Sequence, residues 1–320
     1  MPISNFPSGF MNGVTIRGVP IQQVHPGNMY WVNNSSVLAD GGIGGSNGNP
    51  GTYTKPWSTI DYAIGRCTAN RGDIVVVMPG HVENITGTDI TFDVAGMAVV
   101  GLGAGSLMPQ IDYDHADAEI SVTADNVSIK GLRLRAAITV VKVAVEIEDG
   151  VDYCSVEDCR FTTETEGTDE FLVSVRTNDA SNYAYIANNY FDMVAGGGAV
   201  SAISLTKDTD GTQIIGNFVI GDYSTACING LTTKSTRLLI KDNTLVNGES
   251  DDIGTEPCLE LVAASTGVVM DNTMFANLAT GAAMMVSTGC FFSHNWLGED
   301  DGSGAVTERF TATVVAFADG

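Results

Sequence analysis

The chain is short of positive charge. Its 320 residues carry 15 Lys and Arg against 38 Asp and Glu, a formal net charge of −23. A surface this acidic repels phosphate backbones and anionic lipid headgroups, so neither nucleic acid nor a membrane is an expected partner. No apolar run approaches the roughly 20 residues of a membrane-spanning helix. The opening residues, Met1 to Phe6, lack the basic stretch and apolar run of a secretory leader, so synthesis in a cytoplasm is expected. Cysteine is sparse and shows no metal-ligand pair such as Cys-x-x-Cys. Cys67, Cys154, Cys159, Cys227, Cys258 and Cys290 are read as small buried apolar residues with reduced thiols. No cofactor or metal motif is present, and none is expected to be bound. Charged residues make up only 17% of the chain, which disfavours a helical protein with solvated faces.

What is abundant is hydrophobic residues, 44%, and glycine, 37 in all. They are arranged as a repeat. Seven eight-residue segments look alike, at 127–134, 154–161, 184–191, 212–219, 238–245, 267–274 and 290–297, with weaker copies at 75–82 and 97–104. The third position is Val77, Val99, Ile129, Val156, Ile186, Ile214, Ile240, Val269 and Phe292. The eighth is Val82, Ala104, Leu134, Phe161, Phe191, Val219, Leu245, Met274 and Leu297. The sixth is asparagine in the last five copies: Asn189, Asn217, Asn243, Asn272 and Asn295.

Alternation of period two within each segment means strands. A repeat of about 27 residues is too short for a strand, full helix and strand, but suits one turn of a β-solenoid. Stacking then sets like residues over like at about 4.8 Å. Apolar columns become continuous buried stacks, and the asparagines form a ladder at a bend whose left-handed backbone they tolerate. Intervening runs at 119–123, 144–148, 171–175, 202–205, 258–262 and 284–287 supply a further strand per coil. A β-sandwich is the alternative, but its turns come at closer spacing and give no reason for one asparagine per coil. The expected fold is all-β, a single right-handed parallel β-helix of about nine coils with a short N-terminal capping helix.

The ends of such a stack expose strand edges and need covering. The segment 56–67 spaces Trp57, Ile60, Ala63, Ile64 and Cys67 at helical intervals, with Ser58 as a candidate N-cap. This is the expected cap. The expected organisation is an N-terminal arm at 1–29, with one strand at 14–17. An opening strand, Gly-rich loop and capping helix follow at 30–70, the β-helix at 71–300, and a closing or subunit-pairing strand at 301–320. The glycine-rich run 40–51 lacks the Lys-Ser/Thr of a phosphate-binding loop.

The run from Trp57 to Ile64, followed by Arg71-Gly72-Asp73 and the apolar strand ending in Pro79-Gly80-His81-Val82-Glu83, resembles the opening of pectin-lyase-like right-handed β-helices. The arm from Asn5 to Pro20 and the turn from Gly101 to Leu107 resemble the capsid-associated β-helix proteins of tailed phages. That narrower resemblance implies a structural virion protein on the capsid exterior. Its partners would be the major capsid protein and further copies of itself in a homotrimer. The alternative is a polysaccharide-degrading or polysaccharide-binding β-helix, a lyase or hydrolase of tail-spike kind.

Catalytic candidates are few, and no catalytic residue is expected on the first reading. For the enzyme alternative they are Asp112, Asp114 and His115, the two aspartates being alternate residues able to share a face. The acidic groups Glu164, Glu166, Asp169, Glu170 and Asp251, Asp252, Glu256 read as solvated bends, as do Asp208 and Asp210. Arg133 and Arg160 fall in one outward column, available to pair with Glu157 or Asp158. His25, His81, His115 and His294 are scattered, with His294 a stacked structural residue. Outward aromatics Tyr190, Phe218 and Trp296 share the seventh position, interrupted by Thr244 and Thr273.

Overall fold

A computed structural model describes residues 14–16, 19–21, 27–35, 42–86, 90–165, 168–193, 198–248, 256–278, 284–300 and 306–307. The chain is an all-β parallel solenoid with almost no helix. Three sheets run its length. The first has ten parallel strands, from Met29–Val32 to Cys290–Ser293. The second runs from Val82–Ile85 to Trp296–Asp300 and ends on an antiparallel strand, Val306–Thr307. The third has eight strands, from Ile90–Phe92 to Met285–Val286. Eight strands in the third sheet enclose about seven full turns, fewer than the nine coils expected from counting segments. The last repeat copy, 290–297, is followed by no third-sheet strand among the described residues.

Registry is vertical. Val99, Ile129, Val156, Ile186, Ile214, Ile240, Val269 and Phe292 are successive partners in the first sheet. Leu134, Phe161, Phe191, Val219, Leu245, Met274 and Leu297 are successive partners in the second. The Phe161 and Phe191 rings stack at 4.6 Å. Each such buried side chain contributes roughly 1.5–3 kcal/mol, and the columns merge into one core along the axis.

The first two copies depart from the template. Val75, not Val77, pairs with Val99. Ile111, not Ala104, pairs with Leu134, and Ala104 is exposed. Val82 is exposed and pairs with Gln110. A loop containing the 3-10 turn Gly105–Leu107 separates the two strands of that coil, so sequence spacing no longer reports register.

The bend asparagines are not the left-handed residues. Positive φ falls one position earlier, at Gly131, Asp158, Asn188, Gly216, Asp242, Asp271 and His294. That residue reverses the chain, which frees the sixth side chain to turn into the bend. His294 itself is exposed, and its Nδ1 lies 2.7 Å from Ser293 Oγ.

The helix expected over 56–67 is a single turn, Ile60–Ile64, burying Ile60, Ala63 and Ile64. Its N-cap is Thr59, with no side-chain cap bond, while Ser58 Oγ bonds Asn47 Oδ1 at 2.9 Å. The cap comes from elsewhere: Glu83 Oε2 accepts from Ile60 N at 2.9 Å. Glu83 occupies the core column beside Ile111, so the apolar stack begins on a carboxylate that caps this turn and accepts from the buried His81 Nε2 at 3.1 Å. In the arm, Val14–Ile16 pairs antiparallel with Val19–Ile21. The rest of the arm, His25 and the tail 308–320 lie outside the described residues.

Candidate functional site

The asparagines form a continuous chain of amide contacts. Each Nδ2 donates to the next Oδ1: Asn189 to Asn217 at 3.0 Å, Asn217 to Asn243 at 3.0 Å, Asn243 to Asn272 at 2.9 Å and Asn272 to Asn295 at 2.9 Å. The other amide hydrogen goes to a carbonyl of the preceding coil, as from Asn243 to Ile214 O at 2.9 Å. These side chains are buried and saturated, so they hold the fold and offer nothing to a ligand.

Asp112, Asp114 and His115 do not converge. Arg135 takes both Asp112 oxygens, Nε at 2.7 Å and Nη2 at 2.8 Å, and Gln110 adds a third bond. Asp114 accepts from Asn84 Nδ2 at 2.7 Å. His115 Nδ1 accepts from the backbone of Asp117. The two aspartates have different partners because Asp112 lies within a strand, opposite Arg135, whereas Asp114 follows the strand's end.

The acidic bends are also spent. Glu164 pairs with Arg135 at 2.9 Å, and Asp169 accepts from Thr165 N. Glu170 is buried, and its Oε2 accepts from Gly198 N at 3.0 Å. Asp210 is held at about 2 by hydrogen bonds from Arg237 and Thr236. Glu166, Asp251 and Asp252 lie outside the described residues. Lys130, not an arginine, pairs with Glu157 and Asp158. Burial pushes the Cys154 and Cys159 thiols up to about 12, leaving them unreactive at neutral pH.

A cluster that sequence reading did not assemble lies on the third sheet. Glu119, Glu146 and Glu148 bring carboxylate oxygens within 4.8 Å of one another. Glu146 and Glu148 alternate with the buried Val145 and Ile147, so both face outward. Glu146 stands opposite Arg176 in the next coil, which grips it at 2.9 Å through Nε and 2.5 Å through Nη2. Asn178 Nδ2 also donates to Glu146. Ser121 Oγ donates to Glu148 at 3.1 Å. The outer column continues in register through Ser204, Asn229 and Glu260. The alternation was legible in the sequence. The pairing of Glu146 with Arg176 was not, because it depends on the length of an intervening loop.

Burial favours the neutral form of Glu146, but the Arg176 and Asn178 hydrogen bonds and the hydrogen-bond contact with Glu119 outweigh it, and its pKa is lowered. The stability this adds is present above the ordinary glutamate range, about 4.3, and is lost as pH falls through the depressed folded value. Glu170 and Glu260 are raised by burial and run the opposite way. Thermal melts of Glu146→Gln should therefore lie below wild type near pH 7 and approach it toward about pH 3. A constant gap across that range would contradict the assignment.

Three carboxylates are a minimal donor set for Ca²⁺, which takes six to eight oxygens. Both Glu146 oxygens are already occupied by Arg176. The guanidinium is the counter-ion here, and the arrangement does not fit a dedicated cation site.

The model of the family described as protein of unknown function DUF1565 matches residues 43–289. The chain belongs to this family. No curated protein matches it. Among solved structures, a rhamnogalacturonan lyase aligns with a TM-score of 0.56 at 16% identity, covering 79% of this chain and 69% of that one. That similarity shows that this DUF1565 member shares the parallel β-helix fold of that structure. PfbA, a surface adhesin of Streptococcus pneumoniae, aligns more loosely, with a TM-score of 0.41 at 14% identity over 75% of each chain. Among the described residues no helix is long and apolar enough to cross a membrane.

Proposed function

We propose that the protein is a polysaccharide-binding β-helix that holds an extended glycan along the outer face of the third sheet. One observation carries this reading: Glu119, Glu146 and Glu148 are gathered beside Arg176. Glu146 belongs to an in-register column of polar side chains that runs from Ser121 to Glu260. Such a row offers planar donors and acceptors at one strand spacing, about 4.8 Å, suited to successive hydroxyl-bearing rings. The fold shared with a polysaccharide lyase agrees with it.

Affinity electrophoresis against neutral and acidic polysaccharides tests this. At least one should retard the protein, and Glu148→Gln and Arg176→Gln should each weaken that binding about tenfold, the value of one hydrogen bond to a charged group. If no polysaccharide slows the wild type, or both variants migrate as it does, the reading is wrong.

Cleavage is a second reading, favoured by the contact between Glu119 and Glu146. Arg176 already holds both Glu146 oxygens, so Glu119 and Glu148 would supply the acid–base pair. Release of new reducing ends or unsaturated uronates, abolished by Glu119→Gln, would establish it.

The capsid-decoration reading is a separate proposal, with the major capsid protein and a homotrimer as partners. It rests on the arm, most of which lies outside the described residues. Co-sedimentation with capsids and the mass of the free protein in solution test it.

A further inference from the structure

On the outer face of the second sheet, Arg133, Arg160, Tyr190 and Phe218 are successive register partners. The two arginines stand directly opposite each other. Like charges so placed destabilise a sheet, and this chain has few cations to spend. Neither guanidinium meets a carboxylate among the described residues. Arg133 donates to the neutral acceptors Gly105 O at 2.7 Å and Gln110 Oε1 at 3.4 Å. The Arg160 guanidinium has no hydrogen-bond acceptor among the described residues and lies over the Tyr190 ring at 4.7 Å. Tyr190 stacks on Phe218, with centroids 5.3 Å apart and planes 6° from parallel. Beyond Phe218 the column continues with the short Thr244, and Phe218 is 39% exposed.

We propose that this column is a second binding site, for a carboxylate-bearing saccharide. The acid group bridges Arg133 and Arg160, and the sugars that follow run along the Tyr190 edge to the Phe218 face left open beside Thr244. Guanidinium groups bind carboxylates through paired hydrogen bonds, and an aromatic ring receives the apolar face of a sugar. The ligand carries isolated acid groups among neutral sugars. A polyanion charged at every unit would meet two cations here and the field of a protein of net charge −23 everywhere else. The same argument disfavours single-stranded nucleic acid, although stacked aromatics beside arginine also suit its bases.

The site shares no residue with the third-sheet cluster, so either assignment can fail alone. Titration calorimetry with a glucuronate-terminated trisaccharide, a sialyl trisaccharide, their carboxyl-reduced counterparts and a thymidine oligonucleotide decides it. One of the acidic sugars should bind about tenfold more tightly than its reduced form. Arg160→Gln should erase that difference. Phe218→Thr, a residue the column already accepts at Thr244, should weaken both forms alike. The proposal is overturned if neither acidic sugar binds or if reduced and acidic forms bind equally. It is also overturned if Arg160→Gln binds as wild type, or if the oligonucleotide binds more tightly than the sugars.

Discussion

Asn243→Leu is expected to destabilise the solenoid by about 2–9 kcal/mol, two to three buried polar groups left unpaired at 1–3 kcal/mol each. Asn243 sits in the middle of the ladder. Its Oδ1 accepts from both the backbone N and Nδ2 of Asn217, at 2.9 Å and 3.0 Å. Its Nδ2 serves Ile214 O and Asn272 Oδ1. Leucine has the same branching and is somewhat larger, so no cavity opens and the loss arises from desolvated amides. Asn295→Leu should cost less: it frees Asn272 N and Val269 O, but Asn272 Nδ2 keeps Ile240 O and Met270 O, and Asn295 closes the row at 9% exposure. Equilibrium denaturation of the two variants would measure the difference. Equal costs would mean that the amides act as independent bend residues and not as a ladder.

Asp73→Ala is expected to cost about 3–5 kcal/mol, the usual penalty for removing one partner of a buried ion pair. The Asp73 side chain is fully buried and accepts four hydrogen bonds. Oδ1 takes Asn28 N and Arg71 Nε, both at 2.7 Å. Oδ2 takes Thr68 N at 2.7 Å and Arg71 Nη2 at 2.6 Å. One carboxylate thus ties the lead into the first strand, the segment after the helical turn and the strand Ile74–Val77. Burial alone would raise its pKa, but the Arg71, Thr68 and Asn28 bonds prevail and lower it. Its contribution is therefore present above the ordinary aspartate range and is lost as pH falls through the depressed value. A solenoid is held mainly by nearest-neighbour contacts, so the damage should stay at this end. Hydrogen exchange should quicken in residues 28–35 and 57–67 while the strand Leu238–Lys241 keeps its protection. Uniform loss along the stack would show that the protein unfolds as one unit.

The seven strong repeats were readable as strands because the amino acids alternate, and their stacking was readable because like residues return once per circuit. The same method misplaced Val77, Val82 and Ala104. In the first two coils the connection between sheets changes length, and a strand can shift by two residues while keeping its apolar face inward. It also assigned the left-handed backbone to the asparagines, when the preceding residue adopts it. A bend conformation belongs to φ and ψ, and Asp, Asn, Gly and His all occupy that position here.

The third-sheet cluster shows the boundary most clearly. That Glu146, Glu148 and Arg176 face outward follows from alternation with Val145, Ile147 and Val175, and so belongs to the sequence. That Glu146 is spent on Arg176, that Asp112 is spent on Arg135, and that Arg160 meets no acid among the described residues were decided by cross-coil register. Periodicity is a local property of the chain and dictates which face a side chain takes. Which side chains meet across a coil of some 23 to 30 residues depends on the path of every loop between them, and only the folded stack records that path.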